Sequence, residues 1–128
     1  MTAQAAVLLV LLFTGHFLGD FTPLATARMQ EAKIAGTPLG PIALHALIHA
    51  ALVGLVAFAI VRPDPTLLAA ACAIEFWTHF GLDWFRGRLG AGRPKLTDPS
   101  TQAFWTAMGL DQLAHALVLI GITALLLI

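Results

Sequence analysis

The chain has 128 residues, of which 59% are hydrophobic and 11% are charged, and its mean hydropathy is +0.85. Soluble domains have about 45–50% apolar and about 25% charged residues, so too few polar side chains remain here to cover a soluble domain. The net charge of zero argues against a nucleic-acid partner, and the single cysteine excludes an intrachain disulfide and a thiolate metal cage. We therefore predict one transmembrane domain covering residues 1–128.

Four long apolar segments follow one another along the chain, and they lack the two-residue alternation of half-buried strands. Each provides the about 20 residues that a helix needs to cross about 30 Å of hydrocarbon. Asp64 and Asp98, each followed by a proline, are the predicted N-caps of the last two helices. We predict an all-α, integral membrane four-helix bundle with helices at about 5–22, 41–61, 65–86 and 99–127.

The ends and connections of these helices predict how the chain crosses the membrane. No Lys or Arg precedes the first apolar run, whereas a signal peptide begins with a positive region, so we expect a retained first helix. The first loop, 23–40, contains "ATARMQEAKIA", which we predict to form a short interfacial helix. The only basic residue on the opposite side is Arg62, whereas the side of loops one and three carries Arg28, Lys33, Arg86, Arg88, Arg93 and Lys95. The positive-inside rule then places both loops in the cytoplasm and both termini outside it.

Ionisable side chains interrupt every one of the four predicted spans, always as pairs four residues apart. Residues four apart lie on one face of a helix, one turn above each other. Because the chain direction alternates between spans, all the pairs fall in the membrane half next to loops one and three. They are therefore expected to converge inside the bundle. The residues concerned are His16 and Asp20, His45 and His49, Glu75, His79 and Asp83, and Asp111 and His115.

Imidazole and carboxylate ligands suit zinc or iron, and to a lesser degree manganese, better than copper(I), which prefers sulfur. Nine candidates are too many for one tetrahedral ion. They suit two divalent ions with shared carboxylates, which is the arrangement we favour, or one ion whose ligands are oriented by His–carboxylate partners. The alternative to a metal site is that these polar pairs only join the helices by hydrogen bonds. Glu75 is the predicted general base, and the predicted metal ligands are His16, Asp20, His45, His49, His79, Asp83, Asp111 and His115.

The segments "HFLGDF", "LHALIHA", "IEFWTHFGLDWFRGR" and "GLDQLAHAL", with the loop "ARMQEAK", together resemble a family of small bacterial membrane proteins called domain of unknown function 3307. The resemblance covers most of the chain. It implies a multi-pass protein of the bacterial inner membrane, whose expected partner is the lipid bilayer. It adds little about the chemistry.

The predicted function is therefore drawn from the ligand set. We favour a metal-dependent hydrolase acting on a lipid-like or interfacial substrate. A di-iron oxidase or hydroxylase would use the same ligands. Transport of divalent ions or protons is a further alternative, because intramembrane His and Asp residues mark such pathways. The last alternative is a non-catalytic, cofactor-binding subunit of a larger membrane complex. The chain could also form a homo-oligomer.

Overall fold

The computed structural model describes residues 2–128 and is all-α, as predicted, with no strand among those residues. Five α-helices and one short 3-10 turn, at Pro94–Leu96, make up the fold. The helices are α1 (Ala3–Phe21), α2 (Ala27–Ala35), α3 (Leu39–Ile60), α4 (Pro65–Gly90) and α5 (Gln102–Leu126).

The four long helices pack side by side in the cyclic order α1, α3, α4, α5, and α2 lies across α3 and α4. Consecutive long helices run in opposite directions. The half of the structure that holds the start of α1 and the end of α5 contains an apolar core. Large apolar side chains also cover the outside, with Val10 62%, Leu55 67% and Trp77 67% exposed. An apolar exterior of this extent indicates contact with lipid rather than with water.

Three of the long helices, α1, α3 and α5, are long and apolar enough to cross a membrane. Helix α4 is not among them. It carries Glu75, His79 and Asp83, and a hydropathy average counts these polar residues as though they faced lipid. All three side chains are instead buried inside the protein.

Helix starts depend on local capping. Helix α4 begins as predicted, because the Asp64 carboxylate accepts hydrogen bonds from the backbone N–H groups of Thr66 and Leu67 at 2.9 and 3.1 Å. Helix α5 begins later than the expected position 99. Asp98 accepts instead from the N–H of Ser100 at 2.9 Å and closes a turn, so that Thr101 becomes the N-cap of α5.

Helix α2 is the short helix expected in the first loop, and it packs closely on the end of α4. It ends at Gly36, whose φ of +68° is the left-handed conformation that glycine adopts readily. A Cβ atom on Gly87 of α4 would overlap the carbonyl oxygen of Lys33 and the backbone of Gly36. Glycine at position 87 therefore lets the backbone of α2 lie directly against α4.

Candidate metal centre

The half of the structure opposite the apolar core brings together eight of the nine predicted site residues. They form three overlapping groups, in each of which one ligand atom per residue lies within 4.8 Å of the others, and every member is buried. The groups are His16, His49, Glu75 and His79; Asp20, His45, His49 and His79; and His79, Asp83 and His115. All four long helices contribute to these groups, with α5 doing so through His115 alone.

His79 stands at the centre of the five imidazoles. Its ring centroid lies 3.7 Å from that of His49, in a stacked arrangement, and 4.4 Å from that of His115. The centroids of His45 and His16 are 5.1 and 5.5 Å away. Every histidine of the protein therefore packs against this one ring, which belongs to all three groups.

Two histidines are oriented by a contact to their Nδ1 atom. Nδ1 of His79 lies 3.2 Å from Oε1 of Glu75, and Nδ1 of His115 lies 2.9 Å from the backbone carbonyl oxygen of Asp111. In the tautomer that these acceptors favour, Nδ1 carries the proton. Nε2 of each ring is then the nitrogen available to an ion, as in carboxylate–histidine–metal arrangements.

Eight buried side-chain atoms of the described residues lack a hydrogen-bond partner, and six of them are imidazole nitrogens. Leaving a buried polar atom unpaired costs about 1–3 kcal/mol, so native proteins rarely accumulate them. Nε2 of His16 and of His79 lie 3.3 and 3.4 Å from carboxylate oxygens of Asp20 and Asp83, but without the geometry of a hydrogen bond. The unpartnered atoms are Nδ1 and Nε2 of His16, Nδ1 of His45, Nε2 of His49, His79 and His115, Oδ2 of Asp83 and Nε of Arg86.

Lys33 of α2 is a member of the cluster that the sequence interpretation missed. Its Nζ atom lies 2.8 Å from Oδ1 of Asp20, 3.4 Å from Oδ2 of Asp83 and 3.0 Å from Nε2 of His45. Its side chain is only 10% exposed. The sequence pattern predicts this charge at the cytoplasmic surface. Its spacing of four residues from Met29, a buried residue of α2, was the available signal that it faces inwards.

Asp111 is the one predicted ligand that belongs to none of the three groups. Its Oδ2 atom lies 3.9 Å from Nε of Arg86 and accepts a hydrogen bond from the side chain of Gln112 at 3.3 Å. The Asp111 carboxylate thus faces the neighbouring helix α4 at the edge of the cluster rather than its centre.

Gly19 of α1 makes room for the cluster. A Cβ atom at this position would overlap the imidazole of His49. Gly15, one turn earlier, is not constrained in this way, because its Cβ would meet Leu52 at an ordinary 3.6 Å. Glycine at position 19 therefore leaves the space that the imidazole of His49 occupies at the centre.

Two openings lie beside the cluster, and both are lined by Arg86 and Asp111. One is a recess of about 160 Å³ between α1, α2 and α5, which reaches Asp20 and Lys33. The other is an apolar groove of about 560 Å³ between α4 and α5, lined among others by Leu82, Phe85 and Leu110. The charged recess thus reaches the cluster, and Arg86 and Asp111 form the boundary between this recess and the apolar groove.

The chain belongs to the family described as protein of unknown function DUF3307, whose model matches residues 8–128. This confirms the resemblance found in the sequence. All residues of the cluster, including Lys33, lie within the matched range. No curated protein and no solved structure matches the chain.

Proposed function

We propose that this member of the DUF3307 family is a four-helix integral membrane protein that binds divalent metal in its buried histidine–carboxylate cluster. Zinc and iron are the favoured metals, ahead of manganese, because the available ligands are imidazoles and carboxylates. The chain would lie in the bacterial inner membrane, with the cluster in the cytoplasmic half.

Helix α4 is proposed as the fourth span. Its polar residues Glu75, His79 and Asp83 are 1–2% exposed, so they add no polar surface towards lipid. Its outer face instead presents Ile74, Trp77 and Phe85, which are 41%, 67% and 59% exposed. An ionisable residue inside a membrane is tolerated when it faces the interior of a bundle.

The proposed topology follows from the exposed basic residues. Loops one and three, together with the end of α4, carry Arg28, Arg88, Arg93 and Lys95 on the surface. They would lie in the cytoplasm, with both termini on the other side. Trp84 and Trp105, which are 42% and 58% exposed, flank the third loop and would mark this interface.

The observation that carries the metal proposal is the set of six buried imidazole nitrogens without a hydrogen-bond partner, around the single ring of His79. A cation with several coordination positions would pair with many of them at once. Nitrogens of His16, His49 and His79 belong to one group, with Glu75 beside them. With Glu75 as the general base and not a ligand, three histidines leave a fourth position open on a tetrahedral ion, as in catalytic rather than structural zinc sites.

The reaction that this arrangement supports best is a metal-dependent hydrolysis. A bound divalent ion supplies Lewis acidity and an activated water. Glu75 is proposed as the general base, because its carboxylate belongs to the same group as the three histidines. The contact of the Glu75 carboxylate with Nδ1 of His79 would keep that ring in position during proton transfer.

A lipid-like substrate is proposed from the groove between α4 and α5. Its walls are apolar, and its volume of about 560 Å³ lies within the range of small-molecule sites. Arg86 and Asp111 line both this groove and the recess that reaches Asp20 and Lys33. An acyl chain in the groove would hold its polar end next to the cluster.

The alternatives receive less support. Transport would need a polar path through both halves of the membrane, but the other half is filled by an apolar core that includes Leu8, Leu12 and Leu119. A haem-like or pigment cofactor would need space between the histidines, whose rings pack against each other instead. A di-iron oxidase remains the second candidate, because iron accepts the same ligands.

The test is elemental analysis of protein purified without chelator and without a polyhistidine tag. Wild type is expected to retain divalent metal in a fixed ratio, and His79→Ala is expected to lose it. Asp64→Asn, which changes an exposed helix cap, serves as the control and should retain it. A folded wild type without metal would overturn the proposal, and the metal found would distinguish zinc chemistry from iron chemistry.

A further inference from the structure

We infer that the cluster holds one divalent ion rather than two, because the ammonium group of Lys33 takes the place of the second cation. This rests on the proposed metal binding and narrows it. The alternative of one ion with oriented ligands, which the sequence left open, is thereby favoured over a binuclear site.

The first argument is spatial. The Nζ atom of Lys33 lies within 3.4 Å of Asp20, His45 and Asp83. A metal ion that used those three residues would need the volume that the ammonium group fills. The second group, which contains Asp20 and His45, therefore already has its cation.

The second argument is charge. Three carboxylates lie in the three groups, on Asp20, Glu75 and Asp83. With neutral imidazoles, as metal ligation requires, one divalent ion and the Lys33 ammonium balance these three charges. Beside Lys33, a second divalent ion would leave an excess of two positive charges in a buried site, which is strongly unfavourable. Without Lys33, two ions would leave an excess of only one, and one ion would leave a deficit of one. Arg86 and Asp111 face each other and balance separately.

The third argument is the position left for the ion. Lys33 has no ion pair or hydrogen bond to His16, His49 or His79 among the described residues. Nε2 of each of these histidines is buried without a hydrogen bond, although all three lie 3.3–3.6 Å from a carboxylate oxygen of Asp20 or Asp83. The single ion is therefore assigned to these three residues, with Glu75 beside it. Asp20 and Asp83 would lie between the ion and the ammonium group and interact with both.

Helix α2 holds the Lys33 ammonium group in place, so the position of this charge is set by the fold. Lys33 stands at the end of α2, where its backbone rests on Gly87 of α4. The side chain of Gln30 donates a hydrogen bond to the backbone carbonyl of Asp20 at 3.1 Å. Contacts on both sides of the lysine therefore tie α2 to α1 and α4, and the first loop becomes part of the site.

The experiment counts metal equivalents per chain, in zinc- or iron-supplemented buffer followed by desalting, for wild type, Lys33→Met and Lys95→Met. Lys95 is exposed in the third loop and provides the matched control. We expect one equivalent in wild type and in Lys95→Met, and two in Lys33→Met. Lys33→Met combined with Asp83→Asn removes one charge of each sign, together with a carboxylate that contacts Lys33, and should return the count to one.

The outcomes separate the two proposals. Two firmly held equivalents in wild type would overturn the role of Lys33 while leaving metal binding intact, whether or not the variants fold. One equivalent in a folded Lys33→Met protein would also overturn it. No metal in any folded protein would overturn the proposed function itself.

Discussion

The Nζ atom of Lys33 lies 2.8 Å from Oδ1 of Asp20, and this contact joins the helix of the first loop to the end of α1. Both side chains are largely buried, at 10% and 5% exposed. Charged groups placed this deeply require a partner, because an isolated buried charge is far more costly than a paired one. The contact therefore explains why α2, a short helix with basic residues, packs against the long helices.

Removing this lysine is expected to destabilise the metal-free protein. Lys33→Met leaves Asp20 and Asp83 without their cation, and breaking a buried pair from one side costs about 3–5 kcal/mol. The measurement is the free energy of unfolding in detergent with chelator present. Lys33→Met combined with Asp20→Asn should be less destabilised than Lys33→Met alone, since it removes both charges. Additive losses in the double variant would show that the two groups do not interact.

Gly19→Ala is expected to abolish metal binding. The added Cβ would overlap the imidazole of His49 and displace that ring from its stacked position on His79. Gly81→Ala is the matched control, because a Cβ there meets nothing within 4 Å and alanine favours helix over glycine by about 1 kcal/mol. Metal content and thermal unfolding are measured for both. Full metal retention in Gly19→Ala would contradict the placement of His49.

Gly87→Ala is expected to loosen α2. The new methyl group would meet the backbone of Lys33 and Gly36, and backbone atoms cannot move aside as a flexible side chain can. Hydrogen exchange measured by mass spectrometry should therefore accelerate in residues 27–35, while the apolar core around Leu119 and Ile122 keeps its protection. Gly81→Ala is again the comparison. Unchanged exchange in α2 would mean that this close contact does not hold it.

Glu75→Gln is expected to separate catalysis from metal binding. If Glu75 is the general base, the amide retains its shape and the metal but lowers the rate of hydrolysis by about 10²–10⁴-fold. Glu31→Gln, an exposed change on α2, should have no effect. Hydrolysis of phospholipid or acyl-ester substrates in mixed micelles is measured beside metal content. Loss of the metal in Glu75→Gln would make the residue a ligand instead.

Local regularities made much of this protein predictable from its sequence. Long apolar runs predict helices, because the backbone must satisfy its own hydrogen bonds in lipid. The spacing of His16 and Asp20, and of Glu75 and His79, places each pair on one helix face, since that relationship follows from the helix alone. The antiparallel order of the long helices then brings the pairs to one depth.

Relationships between distant segments were not predictable in this way. Lys33 is 13 residues from Asp20 and 50 from Asp83 along the chain, and its charge is equally suited to a cytoplasmic loop. The packing of α2 on Gly87 of α4 and the hydrogen bond from Gln30 to Asp20 of α1 direct it inwards. The rotation of α5 similarly decides that Asp111 faces Arg86 while His115 reaches His79. The amino-acid sequence by itself therefore determined the helices, their polar faces and the family. The tertiary structure alone decided which charges meet, because that depends on how whole helices pack and rotate against one another.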